Sequence, residues 1–250
     1  MSAVPVERDV LSYYERYDEQ GRLGRGSGAL EFARMQDLIE RFLPPPPGVI
    51  LDVGGGPGRY ACWLAVEGYQ VHLVDPVPKL VEQASAASAA QPGCPLASAA
   101  VGDARSLRYG PASADAVLLM GPLYHLTDHA QRLAALREAY RVLKPGGVLV
   151  AKAINRLASL LDGFCRGFID DPEFVDIIRR DLAKGQHRGV PGTTRYFTSA
   201  FFHRPDQLAA EVRESGFRGK GLFTVQGPAQ FAPTSTRAWR TPPAGPNCST

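Results

Sequence analysis

The chain has 250 residues, with 28 Lys and Arg against 25 Asp and Glu and a formal net charge of +3. That length buries one good core, so one domain with additions is expected, and charge spread without basic runs leaves no footprint for nucleic acid. No apolar run approaches the ~20 residues of a membrane helix, and no basic region followed by an apolar core marks a secretion signal. The cysteines (Cys62, Cys94, Cys165, Cys248) are far apart, with neither metal-ligand spacing nor a disulfide framework, and read as reduced thiols in the cytoplasm.

The periodicity predicts a first helix over Val6 to Tyr17, with Val6, Val10, Leu11 and Tyr14 on one face. A glycine-rich charged loop, Asp18 to Gly28, leads to a second helix over Ala29 to Leu43, which Pro44 to Pro47 stop. Val49 to Leu51 form an apolar strand that ends in Asp52, followed by Gly54, Gly55, Gly56, Pro57 and Gly58. A helical pattern (Tyr60, Trp63, Leu64, Val66) and a second strand (Val71, Leu73, Val74) ending in Asp75 come next. Pro78 to Ala90 read as helix, Ala97 to Val101 as a weak third strand and Ala114 to Leu119 as a fourth. Thr127 is expected to cap a helix running to Leu143, Lys144 to Gly147 to end it, and Val148 to Ile154 to form the fifth strand. Leu157 to Phe202 interrupt the alternation as a helical cap with a flexible Gly/His/Arg segment, Gly185 to Thr194. A helix at Pro205 to Ser215 and a sixth strand at Leu222 to Val225 follow. Pro228 to Thr250 hold five prolines and no alternating apolar run, so no seventh strand is identifiable there and the stretch reads as extended or poorly ordered.

Strand, glycine turn, helix, strand and acid make half of a doubly wound, Rossmann-like α/β fold: a mostly parallel sheet with helices on both faces. Its segments are an N-terminal helical lid (1–43), the main domain (44–227, cap insertion about 157–202) and a tail (228–250). Glycines let backbone approach a ligand without a Cβ in the way, and the new helix presents unpaired amides to it. Asp75, at the tip of a hydrophobic strand, suits both hydroxyls of a ribose. The dinucleotide spacing Gly-x-Gly-x-x-Gly fails, because Arg59 stands where the third glycine would be. An acid before the turn (Asp52) suits a cationic ligand better than a polyphosphate, and S-adenosylmethionine carries a sulfonium, an ammonium and a ribose but no phosphate.

The motifs LDVGGGPGRY, HLVDP, VGDARSL, ADAVLLMGPLYHL and VLKPGGVLV occur in the order seen in class I S-adenosylmethionine-dependent methyltransferases. The chain resembles that family strongly over Val49 to Ile154 and more loosely over Tyr13 to Phe42 and Tyr196 to Gly227, and the GGGPGRY and GPLYHL spellings are similar to a bacterial small-molecule branch of it. The abundance of Ala, Arg, Gly and Pro is associated with high-GC bacteria and specialised metabolism. The resemblance implies that Asp52 holds the methionine end of the cofactor, Asp75 its ribose and Asp103 its adenine amine. It also implies cofactor contacts from Gly54, Gly55, Gly56, Gly58, Pro76 and Ala104, and from Met120 and Gly121 across the switch point. Tyr14 on the lid helix is a candidate to close over the cofactor, and Arg22 and Arg25 to bind a carboxylate, either the cofactor's or a substrate's. Tyr13, Tyr14 and Tyr17 also suit core packing, and Arg22 and Arg25 solvated loop positions.

His125 is the candidate base, accepting a proton from a substrate hydroxyl or amine; the alternative is a histidine that fixes its loop. Tyr17, Tyr124, His187, Tyr196 and His203 are the candidate substrate residues, with Arg188 beside them. The expected reaction is in-line methyl transfer to an oxygen, nitrogen or carbon of a small molecule, without a metal. No membrane or nucleic-acid partner is expected, and a homodimer is one option for the assembly. A nicotinamide-dependent oxidoreductase, a non-catalytic S-adenosylmethionine-binding protein and non-methyl chemistry on the same cofactor stand as alternatives.

Overall fold

The structure, a computed structural model, describes residues 8–190 and 194–227. Two layers of helices sandwich a five-stranded parallel sheet whose strands are β1 (Val49–Val53), β2 (Gln70–Asp75), β3 (Ser98–Val101), β4 (Ala114–Leu119) and β5 (Leu143–Ala151), in the order β3-β2-β1-β4-β5. The order reverses between β1 and β4, and open α/β sheets bind ligands at the carboxyl ends of the strands that flank such a point.

Alternation along each strand divides the core into two halves. Ile50, Val71, Leu73, Ala116 and Leu118 face α2 (Gly26–Phe42), α3 (Arg59–Val66) and α4 (Pro78–Ala89), packing on Phe32, Ile39, Leu64 and Ala84. Their neighbours Leu51, Val53, Val74, Val117 and Leu119 face α6 (His129–Val142) and α9 (Pro205–Glu214), packing on Leu136, Ala139 and Leu208. A one-residue slip of any of these strands would exchange the two sets, so register is strongly specified.

The first helix, α1 (Arg8–Arg16), lies within the predicted span, although Val6 falls outside the described residues. A 3-10 turn at Arg22–Gly24 precedes α2, which starts three residues before the predicted Ala29. A one-turn helix, α5 (Pro122–His125), follows β4. The Asp128 carboxylate, not Thr127, caps α6, accepting the Gln131 amide at 3.1 Å; Thr127 is buried instead, and its carbonyl accepts from Arg132 and Gln186. Lys144 to Gly147 do not terminate the helix but open β5. The ladder there shifts register between Ala114 and Ala116, and Lys144 Nζ reaches the Asp115 carboxylate at 2.8 Å.

The cap consists of α7 (Ala158–Arg166) and α8 (Pro172–Lys184), with β7 (Gln186–His187) directly after them. Together with β6 (Ile154–Asn155) and β8 (Ala200–His203), β7 forms a small sheet in the order β6-β8-β7. Gln186 and His187, predicted as part of a flexible segment, are therefore paired; Pro191 to Thr193 lie outside the described residues. The predicted sixth strand at Leu222 to Val225 is irregular backbone without ladder pairing. Val225 lies against the first core half and Phe223 meets Phe42 with ring centroids 5.4 Å apart, while Leu222 is exposed. The stretch examined for a seventh strand falls outside the described residues.

Cys62 and Cys165 are free thiols, whereas Cys94 is disulfide-bonded, so the expectation of four reduced thiols fails there. Sequence separation says nothing about which sulfurs approach in three dimensions. Among the described residues no helix is long and apolar enough to cross a membrane.

Candidate cofactor and acceptor site

β1 ends in Val53, and the chain turns at Gly54, whose amide donates to the Val74 carbonyl at 2.7 Å. Gly54 has φ +72°, and a Cβ there would stand 2.6 Å from Pro122 Cδ, so neither the backbone nor the space admits a side chain. Gly58, at φ +83°, is the residue before α3. The turn thus lies close under Gly121 and Pro122, and the carboxyl ends of β1 and β4 form one cleft.

Of the sequence-predicted residues, Tyr14, Gly54, Gly56, Asp75, Pro76, Asp103, Ala104, Gly121, Tyr124 and His125 line this cleft. Asp75 is 5 % exposed; its Oδ2 accepts the Gly56 amide and its Oδ1 the Val77 amide, both at 2.9 Å. Burial pushes its carboxyl up to about 6, against the pull of those two amides. Asp103 accepts hydrogen bonds from the Arg105 backbone and guanidinium, and Arg105 also donates to Gln131 at 2.8 Å. Burial would raise the Asp103 carboxyl, but the hydrogen bonds from Arg105 hold it below its ordinary value.

Asp52 lies beneath the turn, outside the lining. It is 1 % exposed, and neither carboxylate oxygen completes a hydrogen bond. Burial first, then the Asp75 charge, push it up to about 7, and the Ala61 amide offsets the shift only in part. A Cβ on Gly55 would stand 2.7 Å from Asp52 Oδ2, so the glycine keeps backbone directly above the acid. Met120 is buried in the first core half, and Gly58 abuts Ala84.

Arg25 is exposed at the start of α2, while Arg22 turns inward to Glu19 at 2.7 Å and Glu31 at 2.9 Å. Glu31 also pairs with Lys152, beyond β5. Glu19 lines the cleft, and burial pushes its carboxyl up despite Arg22. Glu19, Glu31 and Lys152 were not found by sequence reasoning; charges in a loop, inside a helix and after a strand carry no spacing that would announce an ion cluster. Gln131 was missed too, although it sits in the first turn of a helix that begins at the cleft.

His125 and Tyr14 meet in the cleft: the Tyr14 hydroxyl lies 2.9 Å from Nε2, and Nδ1 lies 3.4 Å from the Ser199 carbonyl. A carbonyl only accepts, so Nδ1 carries the proton and Nε2 accepts from Tyr14. Burial pushes His125 down to about 4 and the Tyr14 and Tyr124 phenols well up.

The remaining candidates lie elsewhere. Tyr17 stacks on Tyr13 with centroids 5.0 Å apart. His187 is buried in the cap, bonded to Asp181 at 2.7 Å and the Phe197 carbonyl at 3.1 Å. Tyr196 donates to Asp171 and packs on Phe168 and Phe174, while His203 is buried against Glu211 at 3.2 Å.

A glycine turn after β1, acids at the tips of β1 and β2, and a cleft at the switch point define a Rossmann-like domain. Residues 51–151 match the methyltransferase domain family. That stretch is similar to the family, whose cofactor is S-adenosyl-L-methionine. An uncharacterized methyltransferase of Mycobacterium tuberculosis is 33 % identical over 137 residues, 54 % of this chain and 52 % of that protein; the chain thus matches about half the length of such relatives. A ubiquinone biosynthesis O-methyltransferase of Xanthomonas campestris is 32 % identical over 180 residues, 71 % of this chain and 65 % of its own. The crystal structure of an S-adenosylmethionine-dependent methyltransferase from Methanosarcina mazei aligns with TM-score 0.54 and 24 % identity, covering 71 % of this chain and 82 % of the other, a likeness of fold.

The donor set fits this cofactor. Asp52, buried without a partner, suits a cation, and Asp75 has further lone pairs for ribose hydroxyls.

Proposed function

We propose that the chain catalyses S-adenosylmethionine-dependent methyl transfer to an oxygen, nitrogen or carbon nucleophile of a small molecule. The observation that carries this reading is the pairing of an unpartnered buried acid, Asp52, with a ribose-type acid, Asp75, around one glycine turn. In this reading Asp52 places its charge beneath the turn under the methionine end, Asp75 faces the ribose, and Asp103 with Gln131 the adenine edge. The bound cofactor supplies a methyl group already activated on sulfonium, so the protein's task is alignment and exclusion of water.

The lid supports a small acceptor. Tyr14 of α1 covers the cleft, and Lys79 Nζ holds the end of that helix, reaching the Tyr14 and Glu15 carbonyls at 3.3 and 2.7 Å. Asp9, from the same helix, accepts from the Ser199 hydroxyl. A bulky polymer would have to displace all three contacts.

Calorimetric titration with S-adenosylmethionine and S-adenosylhomocysteine, with Asp75→Ala as control, tests the reading. Micromolar binding weakened in the variant is expected, together with methyl transfer in an acceptor screen. A folded protein that binds neither ligand would refute it.

A further inference from the structure

The position of Tyr14 bears on the acceptor, an inference that rests on the methyl-transfer reading above. We propose that the acceptor is a phenolic hydroxyl donated to His125 Nε2, and that the Tyr14 side chain stands in its place when no acceptor is bound.

His125 presents one unprotonated nitrogen toward the cleft, because the Ser199 carbonyl fixes the proton on Nδ1. Its partner is a phenol, the Tyr14 hydroxyl at 2.9 Å, and both side chains line the cofactor cleft. Tyr14 enters from outside the sheet, on a lid helix whose attachments to the domain include Asp9–Ser199 and the Lys79 contacts. The surroundings are shaped for a flat ring. Tyr14 meets the His125 ring edge-on at 5.3 Å and 87° and the Tyr13 ring at 5.3 Å and 84°. Tyr124 and Phe197 flank His125 at 4.6 and 5.5 Å. The edge-to-face contacts of Tyr14 and Tyr124 are favourable for aromatic rings beyond the area they bury.

The chemistry of Nε2 selects among nucleophiles. A lone pair recognises an O–H or N–H donor, which a carbanion does not offer. Burial makes His125 a weak base, unable to strip an ammonium ion of its proton before reaction. A phenol, with a pKa of ~10, is closer in acidity to this imidazole than an aliphatic alcohol, and proton transfer in the transition state follows that match. In the step, the phenol oxygen forms its bond to the methyl carbon as the carbon–sulfur bond breaks, leaving its electron pair on sulfur. The phenolic proton passes to Nε2 and then to water, which returns His125 to its neutral form.

The test supplies S-adenosylmethionine with 4-methylphenol, 4-methylcyclohexanol or 4-methylbenzylamine, and measures methylated product beside cofactor affinity by calorimetry. Product is expected from 4-methylphenol alone. Tyr14→Phe, which frees Nε2, should lower the KM for 4-methylphenol several-fold. His125→Ala should lower kcat by roughly 10²- to 10⁴-fold with cofactor affinity within about threefold of the parent. With 15N-labelled histidine and S-adenosylhomocysteine bound, 4-methylphenol should shift the Nε2 resonance of Tyr14→Phe. Methylation of the amine or alcohol in preference, or undiminished phenol methylation by His125→Ala, would overturn the proposal. Cofactor binding without product from any of the three would also overturn it, leaving the methyl-transfer reading intact. Absence of cofactor binding would overturn that reading itself.

Discussion

The Asp75 carboxylate accepts the Gly56 amide at 2.9 Å, so the acid at the tip of β2 holds the glycine turn at the tip of β1. One side chain therefore both shapes the turn and lines the cleft. Asp75→Ala removes the acceptor for the Gly56 and Val77 amides as well as for the ribose. Hydrogen bonds to charged groups contribute about 1.5–3 kcal/mol each. Cofactor affinity should accordingly fall about 10- to 100-fold, read by calorimetry. Asp75→Asn keeps one oxygen acceptor and should fall less; equal affinity in the parent and both variants would remove Asp75 from the site.

In the proposed reading Asp52 makes cofactor binding depend on pH. Its carboxyl is raised from 3.8 to about 7, so its contribution to the unliganded fold is fully present below about pH 3.8 and is lost as pH rises to about 7. A shift of about three units from 3.8 corresponds to on the order of 4 kcal/mol. A cationic ligand needs the ionised acid, so S-adenosylmethionine affinity should rise with pH and level off above about 7. Asp52→Asn should flatten that slope and raise the melting temperature of the unliganded protein at pH 8. S-adenosylhomocysteine keeps the ammonium but lacks the sulfonium. A matching slope with it assigns Asp52 to the ammonium, and a flat one assigns it to the sulfonium.

The turn, the two acids and the switch-point glycine were legible because each sits where a strand periodicity breaks, and the chemistry of a turn is local. The two core halves were legible for the same reason: alternation in VILDV and ADAVLL sets which residues face which helices. The histidine–tyrosine pair was not, since 111 residues separate its partners and either ring suits packing equally well. His187, Tyr196 and His203 drew notice as polar groups in an insertion, yet their hydrogen bonds satisfy one another's neighbours inside the cap and against α9. The segment Leu222 to Val225 has strand composition but no ladder, because β propensity reports fit to a half-buried surface rather than pairing.

Glu31 is the hub of the ion cluster beside the cleft. It accepts from Arg22, Lys152 and Gln226, and its side chain is 6 % exposed. Glu31→Gln leaves two cations without their shared partner. Removal of one member of a buried pair costs about 3–5 kcal/mol; the Arg22 side chain keeps 30 % exposure, so about 2 kcal/mol is expected here. Denaturant unfolding should show that loss as a lower midpoint at unchanged slope. Glu31→Gln should also loosen the 3-10 turn at Arg22–Gly24, visible as faster amide exchange there. Unchanged stability would mean that Glu19 alone suffices for Arg22.

Arg132 and Glu211 join α6 to α9 through a pair that is 2 % and 5 % exposed, with an N–O distance of 2.7 Å. Burial would raise the Glu211 carboxyl, but hydrogen bonds from His203 and Arg132 and the Arg132 charge hold it down to about 2. A depressed carboxyl stabilises the fold fully above its ordinary pKa, and that contribution disappears as pH falls through the folded value. The window here runs from about pH 4.5 down to about 2. A difference of about two and a half units corresponds to roughly 3 kcal/mol. The parent should therefore lose about 3 kcal/mol of unfolding free energy across that window from this group. Glu211→Gln should lack that contribution at neutral pH and show a correspondingly shallower acid limb. Arg132→Met tests the same pair from the other side: it strips the Phe201 face of the guanidinium that stacks 3.8 Å above it and leaves Glu211 to His203. Its acid limb should move to higher pH, because the Glu211 carboxyl then titrates closer to its ordinary value. An acid limb identical in parent, Glu211→Gln and Arg132→Met would show that other carboxyls set the acid stability.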